Sequence, residues 1–322
     1  MRITPLVKGE IMFSGLSNIA NQVDFAFVFV FALDAIVLVG ITVFMIWCCI
    51  RFSRKRNPVA TNIHGNVGLE IIWTVIPTFL VMLMFFVGMD YNKMSQAPKD
   101  AMRVKVQGWK WSWAFTYDNG KENDYMKSHE GKDVPVLTLP VGKAVILDMT
   151  SSDVLHSFYI PAFRVKHDVL PGGRISNLWF VPNKVGVYEV FCAEYCGEAH
   201  SKMYAKVQIL PQDEFDKWYG QAPVKLDPTM LASAGEKIYS AQCAVCHSID
   251  GSRKIGPSFK GIWGRTAKLQ GGITKKTDAE YISNSIKMPN SEIVEGYPAA
   301  MPVLPLNDAK IEQVIAYMKT IK

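Results

Sequence analysis

The sequence predicts three kinds of structure in series: a two-helix transmembrane hairpin, an all-β sandwich or barrel, and an all-α domain. Three observations predict it. Two long apolar runs lie near the N-terminus, short Val-, Ile- and aromatic-rich segments separated by turn residues follow, and from about residue 229 the hydrophobic period becomes that of helices. At 322 residues the chain is too long for one ordinary core and fits two or three domains. The expected boundaries are 1–97 for the N-terminal segment and hairpin, 98–212 for the β domain, 213–228 for a linker and 229–322 for the helical domain.

The first span is expected at about 25–50, where FAFVFVFALDAIVLVGITVFMIWCCI carries one charge, Asp34. The second is expected at about 67–90 around the uncharged IIWTVIPTFLVMLMFFVGM, with Pro77 placed to bend it. Each run is long enough to cross a hydrocarbon layer of about 30 Å. Arg51, Arg54, Lys55 and Arg56 follow the first span, so the positive-inside rule puts this loop in the cytoplasm and both outer ends on the other side. The first run is too long and too late in the chain for a cleaved signal peptide, and is read as retained. Asp34, mid-span, is expected to face protein or water rather than lipid.

The net charge is +6. Four of those positive charges belong to the cytoplasmic loop and no basic, aromatic-interleaved stripe occurs elsewhere, which excludes nucleic acid as the expected partner. Of the six cysteines, Cys48 and Cys49 end the first span as small apolar residues, and the other four form two close pairs.

In the β region MRVKVQG, PVLTLP, KAVILDMT, ISNLWFV, GVYEVFC and YAKVQIL alternate with Gly, Pro, Asn and Asp turns. The stretch after them holds one short helical candidate, DEFDKWYG, and then the proline-bounded QAPVKLDP. In the last segment Ile311, Val314, Ile315 and Met318 give the stripe of an amphipathic helix.

Residues 243–247 read CAVCH. C-x-x-C-H is the haem-attachment pattern, in which two thiols add to the vinyl groups and the adjacent histidine reaches the iron. A thioredoxin-like pair would need a βαβ context, and a zinc site a second cysteine pair. With a helix before it, IGPSFKGIWGR after it, YPAAMPVLP some fifty residues on and a terminal helix, the segment resembles class I cytochromes c. The resemblance implies haem c on Cys243 and Cys246, with His247 and Met301 as axial ligands. It also implies a helix crossing at Gly235, Tyr239 and Tyr317. Met288, in KMPN, is the rival axial methionine, and the GYPAAMP setting favours Met301.

Residues 192–203 read CAEYCGEAHSKM. Thiolate, imidazole and thioether together select copper, yet a mononuclear blue-copper site needs two histidines and one cysteine. His156, in SSDVLHSFYIP, is the natural second histidine. H-S-F-x-x-P followed by C-x-E-x-C-G-x-x-H-x-x-M resembles cytochrome c oxidase subunit II over the double span, the β domain and the cysteine loop. The resemblance implies a cupredoxin-like fold and the dinuclear copper centre CuA. Cys192 and Cys196 would bridge the two metals, His156 and Met203 would complete one, and His200 with the Glu194 carbonyl the other. The Glu194 carboxylate would help hold magnesium at subunit I. Glu70, at the cytoplasmic start of the second span, would lie near a proton-path entrance, and Trp111 in QGWKWSWAFTYDNG would be where electrons arrive, with Trp109 as the rival register.

A disulfide or a copper-delivery motif would account for the cysteines, but would leave His200 and Met203, or the spans and the attached haem segment, without a role. Together the two resemblances imply a caa-type arrangement: a subunit II with a fused cytochrome c domain in a bacterial cytoplasmic membrane, its CuA and haem domains on the periplasmic side. The implied partners are subunit I and other subunits of a haem-copper oxidase, and a donor such as a cytochrome c or an upstream respiratory complex. With six histidines in all, the chain lacks the set an oxygen-reducing centre requires, so oxygen chemistry and proton translocation fall to a separate subunit. A nitric oxide reductase with a CuA-type subunit and a free-standing membrane electron carrier are the alternatives. A quinol oxidase subunit would have lost the copper ligands.

Overall fold

The structure, a computed structural model, describes residues 15–59, 61–62, 64–88, 96–221 and 227–322. The segment before residue 15, the exit from the second span at 89–95 and the part of the expected linker at 222–226 lie outside the described residues. The chain divides into two compact units, Met1–Gly15 with Ile19–Ala97, and Leu16–Asn18 with Pro98–Lys322.

In the first unit α1 (Ala20–Arg51) and α2 (Val67–Gly88) are each long and apolar enough to cross a membrane. Helix α1 begins five residues before the apolar run, because nothing in Ala20–Asp24 breaks a helix. Most of their Phe, Ile, Leu and Val side chains are exposed, as lipid-facing residues are. Hydroxyls within the spans bond to the carbonyl one turn back, Thr42 to Leu38, Thr74 to Glu70 and Thr78 to Thr74, so they present no unmet donor to hydrocarbon. Pro77 lies inside α2 and Glu70 in its first turn.

The β part of the second unit is a sandwich of ten strands: β1 (Met102–Trp109), β2 (Ser112–Tyr117), β3 (Asp124–Lys127), β4 (Asp133–Pro140), β5 (Val145–Ser151), β6 (His156–Ile160), β7 (Val165–Val169), β8 (Ser176–Phe180), β9 (Gly186–Cys192) and β10 (Tyr204–Leu210). One sheet runs β2-β1-β5-β8 and the other β3-β4-β10-β9-β6-β7. The pairs β1–β5 and β4–β10 are parallel, the others antiparallel. Alternation sets the core: in β1, Val104 and Val106 point inward while Arg103 and Lys105 point out. Both faces of β4 are buried, because its outer face meets α3 (Gln212–Gly220) and the segment Tyr239–Cys243. Trp218 of α3 donates from Nε1 to Asp124 Oδ2 at 2.7 Å and packs edge-on against Tyr117.

The helical part contains α4 (Pro228–Ile238), a wider π-type turn over Tyr239–Cys243, the two-stranded ribbon β11 (Thr266–Lys268) and β12 (Thr274–Lys276), α5 (Ala279–Lys287) and α6 (Asp308–Met318). Asp278 and Asn307 cap α5 and α6 through side-chain oxygens that accept from Tyr281 and Lys310 N–H. Ile311, Val314, Ile315 and Met318 of α6 are all buried, the stripe the period predicts. Helices α4 and α6 touch at Gly235, where an added Cβ would lie 1.9 Å from the Gln313 carbonyl oxygen, so the crossing requires glycine.

Candidate metal and haem sites

Strand β9 ends at Cys192 and pairs with β10 from Tyr204, so residues 193–203 form the loop of a β hairpin. Its ends are pinned by Cys192 N–H to Met203 O at 3.1 Å and Ala193 N–H to Ser157 O at 2.9 Å. Strand β6 lies beside β9 with Phe158 opposite Cys192, which brings His156, the first residue of β6, against the loop. Five donor groups of one loop and His156, 36 residues before Cys192, thereby converge. Cys192 Sγ lies 3.8 Å from Cys196 Sγ, 3.8 Å from His156 Nδ1 and 3.2 Å from the Glu194 carbonyl oxygen. Cys196 Sγ lies 3.5 Å from His200 Nδ1 and 3.8 Å from Met203 Sδ. His156 is wholly buried, and Cys192, Cys196 and Met203 nearly so.

The sulfur–sulfur distance is too long for a disulfide, about 2.05 Å. It suits two thiolates shared by a metal, since metal–sulfur bonds of about 2.3 Å allow a sulfur pair up to roughly 4.6 Å apart. The hydrogen bond from Cys196 holds the Cys192 thiol well below its ordinary range against the opposing effect of burial. The same contact, together with burial, pushes Cys196 up. The two sulfurs share one hydrogen bond, and a bound metal would displace the protons they carry.

His156 Nε2 lies 2.9 Å from Asp153 Oδ1. A carboxylate only accepts, so Nε2 carries the proton and the Nδ1 lone pair faces the sulfurs. Burial would lower the His156 pKa, but the bonds to Asp153 and Cys192 outweigh it and raise it. The other Asp153 oxygen accepts the Lys110 backbone N–H at 2.8 Å, in the β1–β2 turn. Trp111 of that turn is nearly buried, and its ring lies on the cysteine loop, with Cζ2 3.2 Å from where a Gly197 Cβ would stand. Trp113 packs edge-on to His156 with centroids 6.0 Å apart.

In the helical part Cys243, Cys246, His247 and Met301 line one cavity with Ile282 and Leu304. Met288, the rival methionine, is 56% exposed and outside this lining. His247 Nδ1 lies 2.8 Å from the Pro257 carbonyl, which can only accept, so Nδ1 carries the proton and Nε2 is free for a metal. The ring stacks on Phe259 at 4.4 Å, and burial lowers its pKa, keeping it neutral. Burial raises the Cys243 thiol to about 12 and Cys246 to about 11. The wide turn before Cys243 is closed by Ala244 N–H to Tyr239 O, and Tyr239 Oη donates to the His247 carbonyl at 2.9 Å. Donor types and cavity both fit a covalent haem with a His/Met ligand set.

Glu194 is half-buried on the cysteine loop and Glu70 exposed at the start of α2. Sequence reasoning missed Asp153, Lys110 and Gly256. Lys110 comes from the β domain yet lines the haem cavity, and Trp109 belongs to the same buried cluster as Ile238, Ile286 and Val314 of the helical part. A Cβ at Gly256 would stand 2.4 Å from His247 Cε1. The signal for Asp153 was present in S-S-D-V-L-H, an acid three residues before the histidine; Lys110, Trp109 and Gly256 carry no local signal.

Residues 102–210 match the family described as cytochrome c oxidase subunit II, periplasmic domain, 8–90 its transmembrane domain, and 232–322 cytochrome c. Cytochrome c oxidase subunit 2 of Alkalihalophilus pseudofirmus is 32% identical over 301 residues, 88% of this chain and 83% of that protein. That of Bacillus sp. strain PS3 is 28% identical over 301 residues, 84% and 79% respectively. The crystal structure of the periplasmic domain of subunit II of cytochrome oxidase of Bradyrhizobium japonicum is 33% identical and covers 38% of this chain and 94% of its own, with a TM-score of 0.35.

Proposed function

The chain belongs to the cytochrome c oxidase subunit II family and carries a C-terminal cytochrome c domain, and on that premise we propose that it takes electrons in at haem c and hands them to CuA for a haem-copper oxidase. The two domain families imply copper and haem c as its cofactors. The observation that carries the proposal is the convergence of His156, Cys192, the Glu194 carbonyl, Cys196, His200 and Met203 beside a haem cavity that Lys110 of the same unit lines.

The protein's own groups do four things. Cys192 and Cys196 supply two thiolates, His156 and His200 two neutral imidazole nitrogens, and Met203 a soft thioether, a donor set selective for copper. Asp153 fixes the His156 tautomer, so the ligand does not reorient. Burial of Cys192, Cys196, Met203 and His156 keeps water from those donors, and the pinned ends of the hairpin hold them at nearly constant geometry, which keeps the rearrangement accompanying each electron small. His247 and Met301 would hold the haem iron through an imidazole nitrogen and a thioether, a ligand pair that suits electron transfer rather than oxygen binding.

Trp111, between the copper loop and the haem-attachment segment, is assigned as the side chain through which electrons arrive. Subunit I receives them and carries out oxygen reduction and proton translocation. Glu194 serves a magnesium ion at that contact and Glu70 a proton-path entrance. The spans anchor the chain in a bacterial cytoplasmic membrane with both cofactor domains outside.

Cys196→Ser in the purified complex tests the reading. Loss of near-infrared copper absorbance with haem c retained is expected, and survival of that absorbance would refute the ligand set. Haem a with oxygen consumption in the same preparation separates an oxidase from a carrier, in which haem c would stand alone.

A further inference from the structure

The haem-bearing part meets the sandwich through two groups of contacts that share Tyr125. At the first, the residues just before Cys243 are held by three hydrogen bonds: Ser112 Oγ donates to the Ala241 carbonyl at 3.2 Å, Asp133 N–H to Ser240 Oγ at 3.1 Å, and Gln242 Nε2 to Tyr125 Oη at 2.9 Å. The second involves the start of α6. The Lys310 ammonium pairs with the Glu122 carboxylate and lies 5.9 Å from the centre of the Tyr125 ring, and Asn307 Nδ2 donates to Glu122 Oε1 at 3.1 Å. Asn307 also caps α6 by accepting from Lys310 N–H, so the cap and the contact are one arrangement. A carboxylate at a helix N-terminus is further favoured by the helix dipole.

The two groups hold two different elements of the helical part, the turn before Cys243 and the start of α6, against the sandwich. The second is also shielded: the Lys310 and Glu122 side chains are only 15% and 25% exposed, so salt screens them less than a surface pair. In addition, Trp109 enters the buried cluster of the helical part and Lys110 lines the haem cavity, so the copper-bearing part contributes to the cavity wall.

We propose that Glu122 and Lys310 are positioning residues that clamp the haem-bearing domain on the copper-bearing domain as a standing complex, so that internal transfer occurs without undocking. A donor must then reach the haem from another side. The inference rests on the reading above that haem c donates to the copper centre.

A water-soluble carbodiimide, which joins a carboxylate to an amine only when they touch, provides the test on the intact oxidase. Mass spectrometry is expected to find a Glu122–Lys310 amide, absent in Lys310→Gln, and the cross-linked protein is expected to keep the wild-type rate of haem c to copper transfer after a light-triggered reduction. Lys310→Glu is expected to slow that step about tenfold as the docked fraction falls and to make it salt-sensitive. The charge swap Glu122→Lys with Lys310→Glu should restore it, which a merely structural role would not predict.

Absence of the cross-link while exposed Lys132 couples to Glu130 would overturn the inference. So would a slower rate in the cross-linked protein, or an unchanged rate in Lys310→Glu. A cross-link formed in a protein that shows no haem-to-copper transfer at all would instead sink the functional reading and leave the clamp standing.

Discussion

Replacing Gly256 by alanine tests whether His247 is held where the haem iron needs it. Gly256 has an ordinary φ, so alanine adds volume without backbone strain. The new Cβ would lie 2.4 Å from His247 Cε1, 2.8 Å from Nδ1 and 2.9 Å from Nε2, against a floor of about 3.0 Å for real contacts, so the ring must move by at least about 0.6 Å. Little can yield in its place. Nδ1 is bonded to Pro257, the ring is stacked on Phe259, and Gly256 N–H is tied to the Cys246 carbonyl at 2.9 Å. Overpacking of this kind costs about 1–3 kcal/mol. With about 1.4 kcal/mol per factor of ten, the proposed iron–histidine bond should weaken roughly five- to hundredfold. The proposed thioether links through Cys243 and Cys246 do not involve this contact, so haem content on a denaturing gel should be unchanged. The oxidised optical spectrum should show a high-spin fraction, and added imidazole should bind more readily. Gly220→Ala, at the exposed end of α3 with open space around it, is the neutral control. A Gly256→Ala protein with the wild-type spectrum and ligand affinity would refute the packing argument.

Three other outcomes are expected. Gly235→Ala drives a Cβ into the backbone of Gln313, which cannot rotate away, costing about 3 kcal/mol for overpacking against about 1 kcal/mol regained in helix propensity; the haem domain should melt several degrees lower, and an unchanged melting curve would contradict the crossing. Asp153→Ala removes the acceptor from His156 Nε2 and should weaken copper binding about 10- to 100-fold in a chelator competition, with haem c as internal reference; equal retention in both proteins would remove Asp153 from the site. Glu70→Gln should slow proton uptake by the complex while leaving the reduction rate of haem c alone, and equal uptake rates would end its assignment to a proton path.

Periodicity carried much of the fold. The period-two alternation of β1 and the i, i+3, i+4, i+7 stripe of α6 are local patterns, and both have the burial they predict. The start of α1 was less legible, because Ala20–Asp24 is polar and a helix there is not written in hydrophobicity. The stretch after the sandwich read as a linker around one helical candidate, and that candidate, α3, packs on the sandwich through Trp218, a contact with a residue 94 positions away.

The sites divide in the same way. CAVCH and CAEYCGEAHSKM each place their donors by chain spacing alone, since a short loop cannot carry its residues far apart. His156 needed the pairing of β6 with β9, and Asp153 and Gly256 needed the packing around a ring. What the sequence by itself determined is which metals and haem the chain is chemically equipped to hold, because donor type and short-range spacing are local properties. The tertiary structure alone decided which tautomer each histidine presents, which glycines must stay bare, and that Glu122 and Lys310, 188 residues apart in number, meet across the two cofactor-bearing domains. Those facts depend on contacts between segments whose separation along the chain says nothing about their distance in space.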